Sequence, residues 1–422
     1  MLSSLRFALF SQRRFRLLAS ARFVSVLGSS FGPIAVSFGV LQLHGGSPGA
    51  LSLVLACQAL PQLVFVLWGG VLGDRVRSRF RLVAWTESAA AVIWLALAVL
   101  FAVDGPIVWI AVLAAAGGVT RALFNPALEG VVVDVVENKA DRQEANALLK
   151  VAVNTAKLLG MILAGVVVSL VGPAVALALD AGSFAACALL FTVLGRSTPD
   201  RPVRYKTSAF ADLQDGWREF TRHEWLWVTT GQLTVVMAVV NSVAGLLGPM
   251  MAVQYLGGAW AWSLVVVAQV VGQIGGAGWA ARLRPARPML LATVCTAGAA
   301  LPALLLAMRA PLPVVLAGAL AYGVLFDVTM VMWRTCLQQE VPDDAISRVS
   351  SIDLLGCLAI APIGLAVVGP LAAVFGPGHV ALASAVLVVA AVGCALLSRD
   401  IRTLPGGGTP RGTTAQAAAT PA

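Results

Sequence analysis

Eight ionisable residues stand inside stretches that are otherwise apolar: Arg22, Glu87, Arg121, Lys157, Asp180, Asp327, Arg334 and Asp353. A carboxylate in apolar surroundings, close to a cation, can take up and release a proton, because burial and the neighbouring charge set how readily it ionises. An isolated charge near the middle of a bilayer costs roughly 2.5 to 3.5 kcal/mol on insertion scales, so each of the eight needs a partner or a purpose. Asp327, Glu87 and Asp180 are the candidates for proton exchange, with Arg121, Lys157 and Arg22 as their charge partners. For every one of them a structural ion pair, or a side chain snorkelling to water, is the competing reading, and it is the stronger one for Arg334 and Asp353. Gln232, Asn241, Gln269 and Gln273 are uncharged groups that could bond a solute in a cavity, or equally hold helices together.

Other chemistries lack their residues. No G-x-x-x-x-G-K-[S/T] loop is present to bind ATP, and no G-x-S-x-G or H-E-x-x-H motif. The six cysteines are scattered singly through apolar runs, and the histidines (His44, His223 and His379) fall in predicted loops or at helix ends, so neither a metal nor a cofactor is expected. The net charge of +9 lies in short clusters without stacking aromatics, which argues against nucleic acid. The expectation is a non-enzyme driven by an ion gradient, whose partners are a small-molecule substrate, protons and membrane lipids.

The elements that must hold these charges are membrane helices. Of 422 residues 59% are hydrophobic and only 12% charged, far too apolar for one soluble core. Apolar runs close to the ~20 residues needed to span a bilayer follow one another. Cutting at charges and Pro/Gly clusters predicts twelve helices: 17–42, 50–73, 81–103, 106–128, 146–170, 173–195, 225–250, 260–281, 289–308, 312–336, 350–375 and 379–398. Basic residues crowd into alternate connections. Arg13, Arg14, Arg16, Arg75, Arg77, Arg79, Lys139, Arg142, Arg201, Arg204, Arg282, Arg284 and Arg399 share one side, against Arg309 on the other. The positive-inside rule then sets both termini in the cytoplasm of a multi-pass protein of the bacterial inner membrane. The start is basic before a long apolar run with no small-residue cleavage site, and reads as an uncleaved first helix.

A polar stretch divides the chain into an N-terminal six-helix bundle (1–195), a cytoplasmic linker (196–224), a C-terminal six-helix bundle (225–400) and a disordered tail (401–422). A shift of about 205 positions lays Gly70 on Gly275, Gly118 on Gly323, and the corner Leu170-Val171-Gly172-Pro173 near Val374-Phe375-Gly376-Pro377, as expected of a 6+6 repeat. The same shift lays Arg121 on Phe326, beside Asp327.

Between the second and third predicted helices the chain reads Gly69-Gly70-Val71-Leu72-Gly73-Asp74-Arg75-Val76-Arg77-Ser78-Arg79. This resembles the cytoplasmic loop signature of the major facilitator superfamily, with Gly70, Leu72, Asp74, Arg75 and Arg79 matching. Glycine permits close helix approach, the aspartate can receive cationic or helix N-terminal partners, and the arginines anchor to the leaflet. The stretches Arg121–Ala127, Glu144–Leu148 and Leu179–Phe184 are similar to the drug/proton antiporter branch that includes macrolide and enterobactin exporters. The resemblance implies the superfamily fold, an all-α polytopic protein of twelve transmembrane helices in two pseudo-symmetric bundles. It also implies a conformational latch at the loop motif and proton-coupled efflux of small hydrophobic or amphipathic compounds by alternating access. A dedicated siderophore or natural-product exporter and a lysophospholipid flippase are the alternatives of the same fold. The second half keeps Gly275–Arg284 where a copy of the motif should stand, without its aspartate, and the exporter signature of the fifth helix lacks its proline at Gly160–Gly165.

Overall fold

The computed structural model describes residues 12–76, 78–136, 142–196, 217–342 and 345–405. It is helical, with no strand among the described residues, and holds twelve helices long and apolar enough to cross a membrane. In chain order these are α1 (Arg13–Gln42), α2 (Pro48–Arg75), α3 (Arg79–Ala102), α4 (Ile107–Val135), α5 (Arg142–Leu170), α6 (Pro173–Arg196), α7 (Glu224–Leu256), α8 (Ala259–Ala280), α9 (Pro288–Ala307), α10 (Leu312–Glu340), α11 (Ile346–Phe375) and α12 (Pro377–Ala395). Several run beyond their predicted ends on the side that carries the basic connections, hereafter the basic side, because a helix satisfies its own backbone whether it lies in lipid or water. The opposite end is called the far side.

Four spans are irregular, α9 only by a 3-10 turn at Ala297–Ala299. α1 breaks at Ser30, where Pro33 has no N–H to donate to Ser29. α11 breaks at Ile360, two residues before Pro362, leaving segments Ile346–Ala359 and Ala361–Phe375. α7 contains two π-turns, Val243–Leu247 and Ala252–Leu256, flanking Gly248–Met251. At the far-side corners between α5 and α6 and between α11 and α12, Gly172 and Gly376 take φ of 102° and 83°, left-handed backbone that a residue with a Cβ would resist.

The chain divides into two compact units. One holds the first six spans together with Ala244–Val267 and Leu365–Pro377, and the other holds the remaining parts of α7 to α12. This division differs from a cut at the linker, because the far-side segments of α7, α8 and α11 join the first unit. In that unit Ser37 Oγ donates to the Gly245 carbonyl at 2.8 Å, within the first π-turn, where carbonyls tilt out of register. Ser52 Oγ donates to the Leu365 carbonyl and accepts the Gly369 amide at 3.3 Å. The Trp260 amide donates to Ser169 Oγ at 3.1 Å, and Gly165 lies against Ser263. These hydroxyls and glycines let backbones approach closely in a span interior.

Each unit buries an apolar cluster toward the basic side. Phe15, Leu18, Phe80, Val83, Val131, Cys187, Phe191 and Leu194 form the first, and Trp225, Met289, Cys336, Leu337, Val349 and Ile401 belong to the second. Exposed side chains such as Trp85, Val92 and Leu189 are as apolar as the buried ones, the pattern of a surface that faces lipid. Residues 401–404 are not an unstructured tail. Arg399–Thr403 is a short helix capped by Ser398 Oγ, with Ile401 and Leu404 buried and Ser398 donating to Glu224 at 2.8 Å. The remaining tail from 406, and the linker over 197–216, lie outside the described residues.

The two halves repeat in detail. In the first unit a Cβ on Gly118 of α4 would overlap the Gln58 carbonyl of α2 and press on the Gln62 amide. In the second unit a Cβ on Gly323 of α10 would overlap the Gln269 carbonyl of α8 and press on the Gln273 amide. The sequence equivalence of Gly118 with Gly323 therefore holds in space. For α2 and α8 the offset is 211 rather than 205, so Gly70 corresponds to Ala281 and not to Gly275, because the second half is shorter between these helices.

Candidate functional site

Where α1 breaks, Gly28 and Gly32 lie one helical turn apart on the face that meets α6. A Cβ at Gly28 would overlap Ser183, and one at Gly32 would sit 3.0 Å from Asp180 Oδ2. This Gly-x-x-x-Gly spacing brings Asp180, fully buried, against the backbone of α1 with the Gly32 amide beside its carboxylate. The helix that restarts at Phe31 leaves such amides without intrahelical partners, so a carboxylate is favoured there. Ser183 Oγ donates to the Asp180 carbonyl at 2.8 Å and lies 3.4 Å from Oδ1, while Oδ2 has no hydrogen-bond partner. Trp94, stacked on Phe184 with ring centroids 6.3 Å apart, closes the apolar side of the site.

From Asp180 a chain of charges crosses the bundle. Asp180 attracts Arg121 of α4, and Arg121 in turn meets the like charge of Lys157 on α5. On its other flank Asp180 faces the like charge of Glu87 on α3, which attracts Arg22 of α1 and bonds with Ser25 and Cys187. Glu87 is 3% exposed, and its Oε2 has no hydrogen-bond partner. Arg121 retains accessible surface although protein atoms crowd its guanidinium. Five charges, two negative and three positive, are thus linked through four helices and the broken α1. A proton added to either carboxylate changes the balance that holds Arg121 and Lys157.

Five of the predicted site residues, Glu87, Asp180, Arg121, Lys157 and Arg22, come together here. Asp327 is half-buried on α10 in the second unit, with interactions of its own. The partner of Arg121 is Asp180, on a helix that the repeat offset does not relate to it. Gln232 is buried and donates to the Thr293 carbonyl of α9 at 3.4 Å, leaving Oε1 unpaired, whereas Asn241 is exposed and bonds the Met237 carbonyl of its own helix at 2.7 Å. Gln269 and Gln273 are half-buried where α8 crosses α10. In the loop motif Gly70, Leu72, Asp74 and Arg75 end α2, but their side chains lie outside the described residues, and Arg79 opens α3. Among the described residues no three potential ligands gather to hold a metal ion. Ser25, Gly28 and Gly32 are missing from the sequence reading, and Ser183 and Cys187 enter it only within the Leu179–Phe184 stretch and as one of the scattered cysteines, without a site role; the Gly28/Gly32 spacing is the signal that could have found the first contact.

The Multidrug efflux pump Tap of Mycolicibacterium fortuitum is 29% identical over 372 residues, covering 82% of this chain and 86% of that protein. Its namesake in Mycobacterium tuberculosis is 26% identical over 388 residues, covering 88% and 90%. Among solved structures, the nucleoside transporter NupG matches with a TM-score of 0.72 at 11% identity over 92% of this chain and 99% of that one. A POT family transporter bound to 5-aminolevulinic acid matches with 0.70 at 12% identity over 91% and 95%. At such identities the structures speak for the fold alone. The sequence model of the Major Facilitator Superfamily matches residues 18–361, most of the twelve spans and all five charges of the network, and the chain belongs to that superfamily as a membrane transporter rather than an enzyme.

Proposed function

We propose that the chain is a proton-coupled exporter of small hydrophobic or amphipathic compounds in the bacterial inner membrane, with both termini cytoplasmic. The observation that carries the coupling is Asp180, fully buried between Arg121 and Glu87 with one carboxylate oxygen unpaired. A proton reaching Asp180 neutralises the anion that holds Arg121, and a proton leaving it restores the pair. That exchange gives two electrostatic states of one helix bundle, which a gradient can drive in turn. The solute class is taken from the relatives, which are named multidrug efflux pumps; that name favours a broad substrate range over a dedicated natural product or a lipid. Alternating access is supported by the far-side seam of Ser37, Ser52, Gly165 and Gly369 in the first unit, which joins segments from both ends of the sequence by hydroxyl bonds and close backbone approaches that can part and re-form.

The test is accumulation of a fluorescent hydrophobic dye in cells expressing the chain, with and without a protonophore. Expression should lower accumulation several-fold, the protonophore should abolish the difference, and Asp180→Asn should behave as the empty vector while reaching the membrane. Unchanged accumulation in cells shown to contain the protein would remove the broad-specificity reading. Full, protonophore-sensitive efflux by Asp180→Asn would remove the role of this residue.

A further inference from the structure

The second unit holds a buried carboxylate that the network above does not use. Asp353, on the first segment of α11, is 7% exposed, and Thr230 Oγ1 of α7 lies 2.5 Å from its Oδ1. The same hydroxyl lies 2.9 Å from the Leu226 carbonyl one turn earlier in α7. Thr230 has one proton and two oxygens to serve, and the Leu226 carbonyl can only accept. If Asp353 is ionised, one of the two contacts loses its hydrogen. If Asp353 is protonated, it donates to Thr230 Oγ1, Thr230 donates to Leu226, and both contacts are made. The short oxygen–oxygen distance fits an acid donating into a hydroxyl.

The surroundings agree. The titratable group facing Asp353 on its own helix is the Cys357 thiol, one turn on. α7 presents the hydroxyls of Thr230 and Thr234, and no cation faces Asp353 among the described residues. Among the described residues an ionised carboxylate here would have a single hydroxyl donor and no countercharge, an expensive state away from water. The same stretch fastens α11 to α7 a second time, since Thr234 Oγ1 donates to the Gly356 carbonyl at 3.0 Å and a Cβ on Gly356 would press on Thr230 Cγ2. Four residues beyond Gly356, Ile360 interrupts α11 ahead of Pro362, so this segment is a separate piece of helix held by these contacts.

We propose that Asp353 is a second proton-binding site of this transporter: protonated, it fastens the Ile346–Ala359 segment to α7 through Thr230, and on losing its proton to water it releases that segment. The site stands on its own geometry, and only its consequence for export rests on the proton coupling proposed above. The proton arrives from water on the basic side, about seven residues along α11 from its start, and leaves by the same oxygen once the segment moves.

Infrared difference spectra of the purified full chain in lipid nanodiscs, acid minus alkaline, read the acid directly. The carbonyl stretch of a protonated carboxylic acid should appear, vanish in Asp353→Asn and shift in Thr230→Val, which removes the bonded hydroxyl. Thr230→Ser, which keeps it, should leave the band in place. Asp353→Asn should retain downhill dye flux within about twofold and lose gradient-driven export by at least about tenfold. Should Asp353→Asn fail to fold, Asp353→Glu, which must move the band, and Thr230→Val carry the test. A band set identical in the parent and in folded Asp353 variants overturns the site. A parent that retains the Asp353 band but moves dye without regard to the proton gradient overturns the exporter reading instead and leaves the site standing.

Discussion

Asp180 and Arg121 hold each other in the interior, so removing either charge strands the other. Asp180→Asn should lower the melting temperature, because a buried ion left without its partner costs about 3 to 5 kcal/mol, less here in proportion to the water that reaches Arg121. Adding Arg121→Gln should recover most of that loss, since the double variant has no stranded charge, while proton-driven efflux stays absent in all three proteins. Melting curves and dye efflux on the four members of this cycle check both halves, and additive melting shifts would contradict the pairing. Gly32→Leu tests the approach of α1 to α6: its side chain would collide with Asp180, costing about 1 to 3 kcal/mol from overpacking and abolishing efflux. At this scale the sequence marked five network members, because a charge in an apolar run stands out against its neighbours. It did not pair them, since one residue turns a helix about 100° and the faces of α3, α4 and α6 depend on packing that no repeat offset encodes. The bonds of Ser25 and Ser183 were illegible for a simpler reason, as a serine in a span carries no signal of what it bonds.

Helices were the most legible elements. Long apolar runs bounded by charges fix where a chain must cross, and all twelve predicted spans are found, differing mainly in how far they extend beyond the bilayer. Their interruptions were less legible: Pro33 and Pro362 stand just beyond the breaks of α1 and α11, but proline is common in membrane spans, and nothing in the sequence of α7 announces its two π-turns. The Gly118 and Gly323 crossings give a prediction at this scale. Each glycine sits on a carbonyl of the neighbouring helix, so Gly118→Leu and Gly323→Leu should each destabilise the chain by comparable amounts, about 1 to 3 kcal/mol or more because backbone is the obstacle. Thermal unfolding in detergent reads this directly. A large loss in one variant and none in the other would mean that the two crossings are not equivalent.

In the whole molecule, a transporter must close one side before opening the other, and the far-side seam is where the first unit gathers segments from both ends of the sequence. A Cβ on Gly165 would stand 2.5 Å from Ser263 Cβ, closer than the roughly 3.5 to 4.5 Å of a disulfide, so the two backbones must part by about 1 Å for cysteines at both positions to bridge. Oxidation of Gly165→Cys/Ser263→Cys should stop dye efflux, and reductant should restore it; efflux indifferent to oxidation, with the bridge shown to have formed, would mean that this seam never opens. The twofold repeat was visible in the sequence through Gly118 and Gly323 and through the corners at Gly172 and Gly376. The assignment of the far-side parts of α7, α8 and α11 to the first unit was not, because it depends on contacts between residues some 200 to 300 positions apart, such as Ser37 with Gly245 and Ser52 with Leu365. The most direct test of proton-coupled export uses purified chain in liposomes with its cytoplasmic side outward, an acidic lumen and a fluorescent dye outside. Dye should accumulate in the lumen, the lumen should become less acidic in step, and Asp180→Asn should do neither; equal accumulation with the gradient collapsed, or accumulation by Asp180→Asn at the parent rate, would contradict proton-coupled export.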